Sequence, residues 1–205
     1  MNRNSHPALL IVDVQNDFCP GGTLAVPGGD LILPTLNQLI ALCSQLEYSI
    51  FATRDWHPVD SQHFLEYGGI WPSHCVTGTP GAEFHEDLDL PADAVIVSKG
   101  QSRLSDGYSA FDGSTSTGVQ FSNELAKRAI GKIYVTGLAT DYCVRQSVLD
   151  ALQIGLSVSL VTDLIAGVDR SPGDVDRALQ EMNAAGAHFT TVAEIEAETT
   201  QTNSQ

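Results

Sequence analysis

The chain has 205 residues, of which 42% are hydrophobic and 17% charged, and its formal net charge is −15. This balance is typical of a globular protein, and the length suits one α/β domain over residues 1–205. The acidic charge argues against binding to nucleic acid or to a membrane surface, because phosphates are bound by clusters of Lys and Arg.

Short runs rich in β-branched residues predict six strands along the chain. Most of these runs are apolar throughout rather than alternating, which is typical of strands that are buried on both faces. The predicted strands are Ala8–Val14, Ser49–Thr53, Ala94–Ser98, Ile133–Gly137, Ser157–Thr162 and Ala187–Val192.

Helical periodicity fills several of the intervals between the predicted strands. The predicted helices are Leu31–Leu46, Phe121–Ile130, Cys143–Ile154 and a last one that Ser171-Pro172 opens. Gly155 is expected to end the third helix, and Ser171 to cap the last one. Alternating strands and helices predict a doubly wound, mostly parallel six-stranded sheet with helices on both faces. The polar tail from about residue 198 to residue 205 is expected to be frayed.

Two connections are longer than simple links in a compact domain. One runs from about His57 to Asp93, and the other from Gly100 to about Gln120. The first connection contains four of the six histidines and Trp71. We therefore expect this segment, 57–93, to be an ordered, metal-binding loop.

The four cysteines lie at positions 19, 43, 75 and 143, and they do not predict a disulfide framework. The N-terminal run ALLIVDV contains Asp13 and is not followed by a cleavage-site pattern, so we expect no signal peptide. No apolar stretch is long enough to span a bilayer. These features predict a cytoplasmic protein with reduced thiols.

Polar and reactive side chains follow four of the predicted strands. In chain order they are Asp13, then Asp55 and His57, then Lys99, and then Cys143. Because ligands of open parallel sheets bind beyond the carboxyl ends of the strands, we expect these side chains to meet in one site.

Cys143 is predicted to lie in the first turn of a helix, where the helix dipole lowers the pKa of a thiol from about 8.5. Lys99 would lower that pKa further, and Asp13 would accept the thiol proton. Taken singly, these residues have ordinary explanations as a core cysteine, a surface amine and a turn former. Their positions at successive strand ends favour a catalytic set for acyl transfer. Cys43, by contrast, is interpreted as a core residue.

Carboxylate and imidazole groups are concentrated in a short stretch. Asp55, His57, His63 and His74 fall within 20 residues, and Glu66 is an alternative ligand. Residues two apart on an extended segment share a face, so Asp55 and His57 point the same way. These side chains suit Zn²⁺, Fe²⁺ or Mn²⁺. Spacing alone leaves a set of unrelated polar residues equally open.

Several motifs together resemble the nicotinamidase/pyrazinamidase group of the isochorismatase-like cysteine hydrolases. They are IVDVQNDFCPGG, TRDWHP, WPSHCVTGTPGA, SKG, YSAF and GLATDYCVRQ, and they extend from about Ala8 to Asn183. The resemblance implies the isochorismatase-like hydrolase fold. It also implies a catalytic triad, which in this sequence is Asp13, Lys99 and Cys143.

The resemblance further implies one divalent metal ion per chain, bound by Asp55, His57 and His74. Some members of the family use a further histidine as a ligand, which corresponds to His63, whereas others use a carboxylate or water. The implied role of this ion is to anchor the ring nitrogen of the substrate rather than to generate a nucleophile.

The remaining site residues are also implied by the resemblance. Backbone N–H groups of Ala139 and Cys143 are expected to form an oxyanion hole next to a cis Leu138–Ala139 peptide. Thr140 or Asp141 is expected to cap the helix that follows. The expected substrate-binding residues are Phe18, Leu24, Trp71, Tyr108, Leu138 and Tyr142.

The implied activity is hydrolysis of nicotinamide to nicotinate and ammonia, and of pyrazinamide to pyrazinoate, through a cysteine thioester in NAD salvage. Three alternatives stay open: a related cysteine hydrolase that acts on another small amide, ureide or vinyl ether, a hydrolase that uses metal-bound hydroxide, and a non-catalytic binding module. The expected partner is a small-molecule substrate, with neither nucleic acid nor membrane, and a homo-oligomer stays open.

Overall fold

The computed structural model describes residues 6–202, and its centre is a single sheet of six parallel strands. The strands are β1 (His6–Val12), β2 (Ser49–Asp55), β3 (Val95–Lys99), β4 (Ile130–Leu138), β5 (Ser157–Ala166) and β6 (His188–Thr190). They are arranged in the order β3-β2-β1-β4-β5-β6, and every neighbouring pair is parallel. The predicted α/β class with a six-stranded parallel sheet is confirmed.

Helices cover both faces of the sheet, as predicted. They are α1 (Leu33–Gln45), α2 (Phe121–Lys127), α3 (Arg145–Gln153), α4 (Asp174–Ala184) and α5 (Val192–Thr202). Buried residues of α1 and α5 pack on the face to which Leu9 and Ile11 of β1 point. Those of α2, α3 and α4 pack on the face of Ala8 and Leu10, because successive strand residues point to opposite sides. Within residues 6–202 no helix is both long and apolar enough to cross a membrane.

Two helix starts differ from the predicted ones. Residues Thr140–Val144 form a π-helical turn, so α3 begins after Cys143 rather than at it. α4 begins at Asp174 after Gly173, whose φ is +87°, instead of being capped by Ser171. The physical reason is local: the Asp174 carboxylate accepts the Ser171 N–H at 2.8 Å and closes a turn before the helix. Gly155, with φ +87°, follows the end of α3 as predicted.

The predicted frayed tail, from about residue 198 to residue 205, lies partly outside the described residues. α5 continues through residues 198–202, and residues 203–205 lie outside the described part of the chain. The hydroxyl groups of Thr199 and Thr200 donate to the Glu196 carbonyl, so these polar side chains add hydrogen bonds to the helix. Val192 and Ile195 are buried and hold its first turns against the core.

The two central strands create the crevice in which the site lies. From β1 the chain continues to β2 on one side, and from β4 it continues to β5 on the other. This reversal opens a crevice beyond the carboxyl ends of β1 and β4. Gly137 allows the two strands to approach there, since its φ is +105° and a Cβ atom would lie 2.1 Å from the Val12 carbonyl oxygen.

Both long connections cross this carboxyl edge and are ordered. Short 3-10 turns occur at Leu65–Tyr67, Pro80–Ala82 and Ala110–Asp112. The Gln62 N–H donates to the Arg103 carbonyl at 2.9 Å, which ties one connection to the other. Together they form the walls of the crevice.

Candidate active site

Lys99, at the end of β3, is fully buried and holds the reactive groups together. Its Nζ donates to Asp55 Oδ1 at 2.5 Å and to the Gly107 carbonyl at 2.8 Å. It also lies 2.7 Å from Asp13 Oδ2 and 3.3 Å from Cys143 Sγ. Burial alone would lower the pKa of Lys99, but the two carboxylates outweigh it and raise this pKa well above its usual value. Lys99 is therefore an ammonium ion.

Asp13 follows β1 directly, and its carboxyl group is fully buried. Its Oδ1 accepts the Thr53 hydroxyl at 2.7 Å. Apart from the ion pair with Lys99, Oδ2 has no hydrogen-bonding partner among residues 6–202. Burial raises the pKa of Asp13 to about 6, with Lys99 opposing this rise and the charge of Asp55 adding to it. A carboxyl group with a pKa near neutrality can both accept and return a proton.

Cys143 lies in the π-helical turn, and its thiol has a raised rather than a lowered pKa. Burial moves this pKa well above the usual value, Lys99 partly offsets the effect, and Asp13 and Asp55 add to it. This direction differs from the lowering expected at a helix N-terminus, because burial of the thiol outweighs the effect of the Lys99 ammonium group on its pKa. The thiol is protonated at rest and lies within 4.8 Å of carboxylate oxygens of Asp13 and Asp55. Proton transfer to Asp13 would activate it.

Three histidines meet beside this triad, with ring nitrogens within 4.8 Å of one another. His57 Nδ1 lies 3.1 Å from the Gly100 carbonyl, and His74 Nδ1 lies 2.8 Å from the Pro72 carbonyl. His63 Nδ1 lies 3.0 Å from Asp106 Oδ1. Because these oxygens only accept hydrogen bonds, each Nδ1 carries the proton and each Nε2 is left as a metal donor.

One observation tests whether this cluster suits a metal ion. His57 Nε2 is buried and has no hydrogen-bonding partner in the described part of the chain. Asp55 Oδ2 lies 3.6 Å from this atom and 3.9 Å from His74 Nε2. A cation between them would satisfy the unpaired nitrogen, so the residues fit a divalent ion.

Protonation states agree with that fit. Burial lowers the pKa of His74 to about 4 and also lowers that of His63, so both imidazoles are neutral. Burial would raise the pKa of Asp55, but Lys99 and His57 outweigh it and keep the group ionised. Glu66, the alternative ligand, is exposed and accepts the Ser73 hydroxyl at 2.9 Å instead.

An aromatic pocket opens between the triad and the histidines. Trp71 Nε1 donates to the Tyr108 hydroxyl at 2.8 Å, and the Trp71 ring meets Tyr142 edge-on with centroids 4.9 Å apart. Five predicted substrate-binding residues line the pocket, together with two valines that the sequence did not indicate. The lining includes Phe18, Leu24, Trp71, Tyr108 and Tyr142, with Val26 and Val168 as the additions.

Leu138 does not line this pocket, in contrast to its predicted role. Its side chain is fully buried in the core cluster that includes Leu36 of α1. The reason is its position at the end of β4, where the side chain points to the α1 face. Leu138 therefore belongs to the hydrophobic core and not to the pocket wall.

The predicted oxyanion-hole residues lie on one wall of the pocket. Ala139 and Cys143 both line it, and the Leu138–Ala139 peptide is cis. The Ala139 carbonyl accepts the N–H groups of Tyr142 at 3.0 Å and Val144 at 3.1 Å, which closes the π-helical turn. This turn fixes Ala139 relative to Cys143, and their role in an oxyanion hole stays a prediction.

Neither Thr140 nor Asp141 caps α3, although the sequence predicted that one of them would, since the cap position is Val144 and no side chain caps it. The side chain of Asp141 binds elsewhere. Its two oxygens accept the N–H groups of Val168 at 2.9 Å and Asp169 at 2.8 Å. The capping prediction is wrong because the loop after β5 provides these donors. Asp141 therefore attaches the loop that carries Val168 to the turn that carries Cys143.

Two residues that form hydrogen bonds to site residues were not identified from the sequence. Gln15 is fully buried, and its amide accepts the Asp55 N–H at 2.8 Å and donates to the Asp55 carbonyl at 2.9 Å. Its position three residues after the end of β1, at the edge where the other site residues lie, is the sequence signal for it. Asp106 had no such signal, since its partner His63 lies 43 residues away.

Comparisons with known proteins agree with this geometry. A family model described as the isochorismatase domain matches residues 7–194. The nicotinamidase of Escherichia coli (strain K12) is 41% identical over 205 residues, which cover 92% of this chain and 96% of that protein. The pyrazinamidase of Pyrococcus horikoshii in complex with zinc has a TM-score of 0.83 and 44% identity, covering 91% of this chain and 99% of that one. PnC1 from L. infantum in complex with nicotinate has a TM-score of 0.82 and 35% identity, covering 92% and 94% respectively.

Proposed function

The chain belongs to the isochorismatase domain family, and on that premise we propose that it is a nicotinamidase. The reaction is hydrolysis of nicotinamide to nicotinate and ammonia, and likewise of pyrazinamide to pyrazinoate. The observation that carries this proposal is the buried contact of Asp13, Lys99 and Cys143 at the wall of an aromatic pocket. The 41% identical nicotinamidase and the zinc-bound pyrazinamidase structure support it.

The metal cluster and the pocket account for substrate binding. Asp55, His57, His63 and His74 hold one divalent ion, Zn²⁺, Fe²⁺ or Mn²⁺, which when bound supplies a Lewis acid for the pyridine nitrogen. Trp71 and the other aromatic side chains enclose a flat ring and exclude water from it. The carboxamide of a ring held in this pocket faces the wall that contains Cys143.

Formation of the thioester begins with Asp13. Its carboxylate accepts the thiol proton as Cys143 Sγ forms a bond to the amide carbon, and the carbonyl electron pair moves to oxygen. The resulting oxyanion accepts hydrogen bonds from the N–H groups of Ala139 and Cys143. Lys99 keeps its proton and stabilises the negative charge that passes between the carboxylate and the thiolate.

The reaction is then completed in two stages, which are loss of ammonia from the tetrahedral intermediate and hydrolysis of the thioester. Asp13 returns its proton to the leaving nitrogen, the C–N bond breaks, and ammonia departs from the acyl-cysteine. Asp13 next accepts a proton from water, whose oxygen attacks the thioester carbon, and the C–S bond breaks. Nicotinate leaves, and the proton returns to the thiol. One carboxyl group thus acts twice, which suits a pKa near neutrality.

The proposal is tested by ammonia release from purified, zinc-loaded protein with nicotinamide, pyrazinamide, N-carbamoylsarcosine and acetamide. We expect rapid release from the first two alone. Preferred release from another amide or ureide would assign the chain a different substrate within the family. Activity that survives Cys143→Ala would instead favour a hydrolase that uses metal-bound hydroxide, and Cys43→Ala is the matched control because Cys43 is buried in the core.

A cytoplasmic location and a role in NAD salvage belong to the same proposal. All four cysteines are free and buried, in keeping with a reducing compartment. Cell fractionation combined with measurement of the nicotinamide pool in a deletion strain tests both points.

A further inference from the structure

The three histidines of the metal cluster are held in two different ways. His57 and His74 are held by backbone carbonyls, those of Gly100 and Pro72. His63 is held by a side chain, the carboxylate of Asp106, at 3.0 Å. The Asp106 side chain is 65% exposed, whereas that of His63 is 4% exposed. One ligand of a buried cluster thus depends on a single surface carboxylate.

Asp106 is the first of three consecutive residues that reach three parts of the site. The Gly107 carbonyl accepts the Lys99 ammonium at 2.8 Å. The Tyr108 hydroxyl accepts Trp71 Nε1 at 2.8 Å in the wall of the pocket. The segment 106–108 therefore touches the metal cluster, the triad and the substrate pocket in turn.

The backbone of this segment has little freedom to move. Gly107 has φ +63°, and a Cβ atom there would lie 2.3 Å from the Gly100 nitrogen. Gly100 is also the residue whose carbonyl holds His57. Because Gly107 packs closely against Gly100, the preceding residue Asp106 is held in a fixed position next to Nδ1 of His63.

We propose that Asp106 is a positioning residue of the metal site, which holds His63 so that its Nε2 faces the other ligands. The inference rests on the proposed function only in that the cluster binds a divalent ion. A carboxylate on the outer nitrogen fixes the imidazole tautomer and makes the inner nitrogen a stronger donor. A backbone carbonyl, which holds the other two rings, orients an imidazole but carries no net charge.

The test is zinc affinity, measured without substrate by competition with a fluorescent chelator. Asp106→Ala should weaken zinc binding by about 10- to 100-fold, as loss of such outer partners does at other metal sites. Asp106→Asn should weaken it less, because its amide oxygen still accepts the hydrogen bond but lacks the charge. The matched control is Asp87→Ala, which removes a carboxylate 3.9 Å from His85, outside the cluster, and should leave zinc affinity unchanged.

A double-mutant cycle separates positioning from a general loss of negative charge. In a His63→Ala background, Asp106→Ala should have no further effect on zinc affinity, since it acts through that ring. An equal loss in both backgrounds, or an affinity of the single variant within twofold of wild type, would overturn the proposal. The thermal unfolding midpoint of the metal-free variants checks that they are folded. For Asp106→Ala this midpoint should equal that of the wild type, because the Asp106 side chain is exposed. Inactivity of the wild type on nicotinamide would refute the proposed function but leave this result intact.

Discussion

Two buried clusters stand side by side at the carboxyl edge of the sheet, and they differ in how their charges are balanced. In the triad, the chain supplies its own cation, because Lys99 lies between Asp13 and Asp55. In the histidine cluster, the chain supplies donors and leaves His57 Nε2 without a partner. A cluster whose charges are balanced by the chain itself needs no added ion to carry out its chemistry. A cluster with an unpaired donor atom is suited to binding an ion. Asp55 belongs to both clusters, since its Oδ1 pairs with Lys99 and its Oδ2 faces His57 and His74. Substitutions at residues that belong to one cluster alone, such as Cys143 or His63, should therefore affect that cluster only.

The largest expected effect is confined to the triad. Cys143→Ala should lower kcat by about 10⁴-fold or more, because removal of a nucleophile abolishes the covalent route. Zinc affinity should not change, since the thiol is not part of the histidine cluster. Steady-state ammonia release and the chelator assay measure the two properties. Loss of zinc binding in this variant would show that the clusters are not separate.

Asp13→Asn should lower kcat by about 10²- to 10⁴-fold, because the amide can neither accept the thiol proton nor return it. Lys99→Ala should also lose most activity. The double variant should be no worse than the more impaired single variant, since the three groups act as one unit. Strictly multiplicative losses would mean that Asp13 and Lys99 act in independent steps.

Removal of the metal addresses the other cluster. Dialysis against a chelator should raise KM for nicotinamide by about 10- to 100-fold, because the ring loses its anchor. The rate at which iodoacetamide modifies Cys143 should stay within a factor of about two of the metal-bound rate. The reason is that the metal contributes to substrate binding and not to the reactivity of the thiol. Peptide mapping of the alkylated cysteine follows the second property. Unchanged affinity for nicotinamide would contradict the anchoring role.

The pH dependence sharpens the view of the triad. Asp13 must be ionised to accept the thiol proton, and burial raises its pKa to about 6. Activity should therefore be full above this value and fall roughly tenfold for each pH unit below it. The kcat/KM profile of the zinc-saturated enzyme from pH 4.5 to 8 measures the effect. Constant activity from pH 8 down to pH 4.5 would mean that the Asp13 carboxyl group is not the base.

The smallest expected effect concerns the wall of the pocket. Asp141→Asn removes one of the two hydrogen bonds that attach the loop carrying Val168 to the Cys143 turn. KM for nicotinamide should rise roughly two- to tenfold, which corresponds to the net contribution of about 0.5–1.4 kcal/mol from one hydrogen bond. Zinc affinity should not change. A larger effect on kcat than on KM would show that Asp141 fixes the nucleophile rather than the wall.

The same contrast explains what the sequence could predict. The triad residues follow buried strands, and parallel strands end at one edge, so Asp13 and Lys99 could be placed together without coordinates. The orientation of Leu138 could not be predicted, because the sequence does not show which face of the sheet the last residue of β4 points to. The raised pKa of Cys143 depends first on the complete burial of its thiol and then on the charges of Asp13 and Asp55, which only the fold brings to it. Asp106 is one of 25 acidic residues, and only the fold brings it to His63.

The position of Lys99 has a consequence for inhibition by metals. Ligand atoms of Asp13, Asp55 and Cys143 lie within 4.8 Å of one another, which is the composition of a second metal site. The ammonium group of Lys99 lies among them, within 3.3 Å of each. A thiophilic ion at that point would bind the sulfur and block the nucleophile. The ammonium group of Lys99 thus places between these three ligands a cation that cannot leave, which disfavours a second metal ion there.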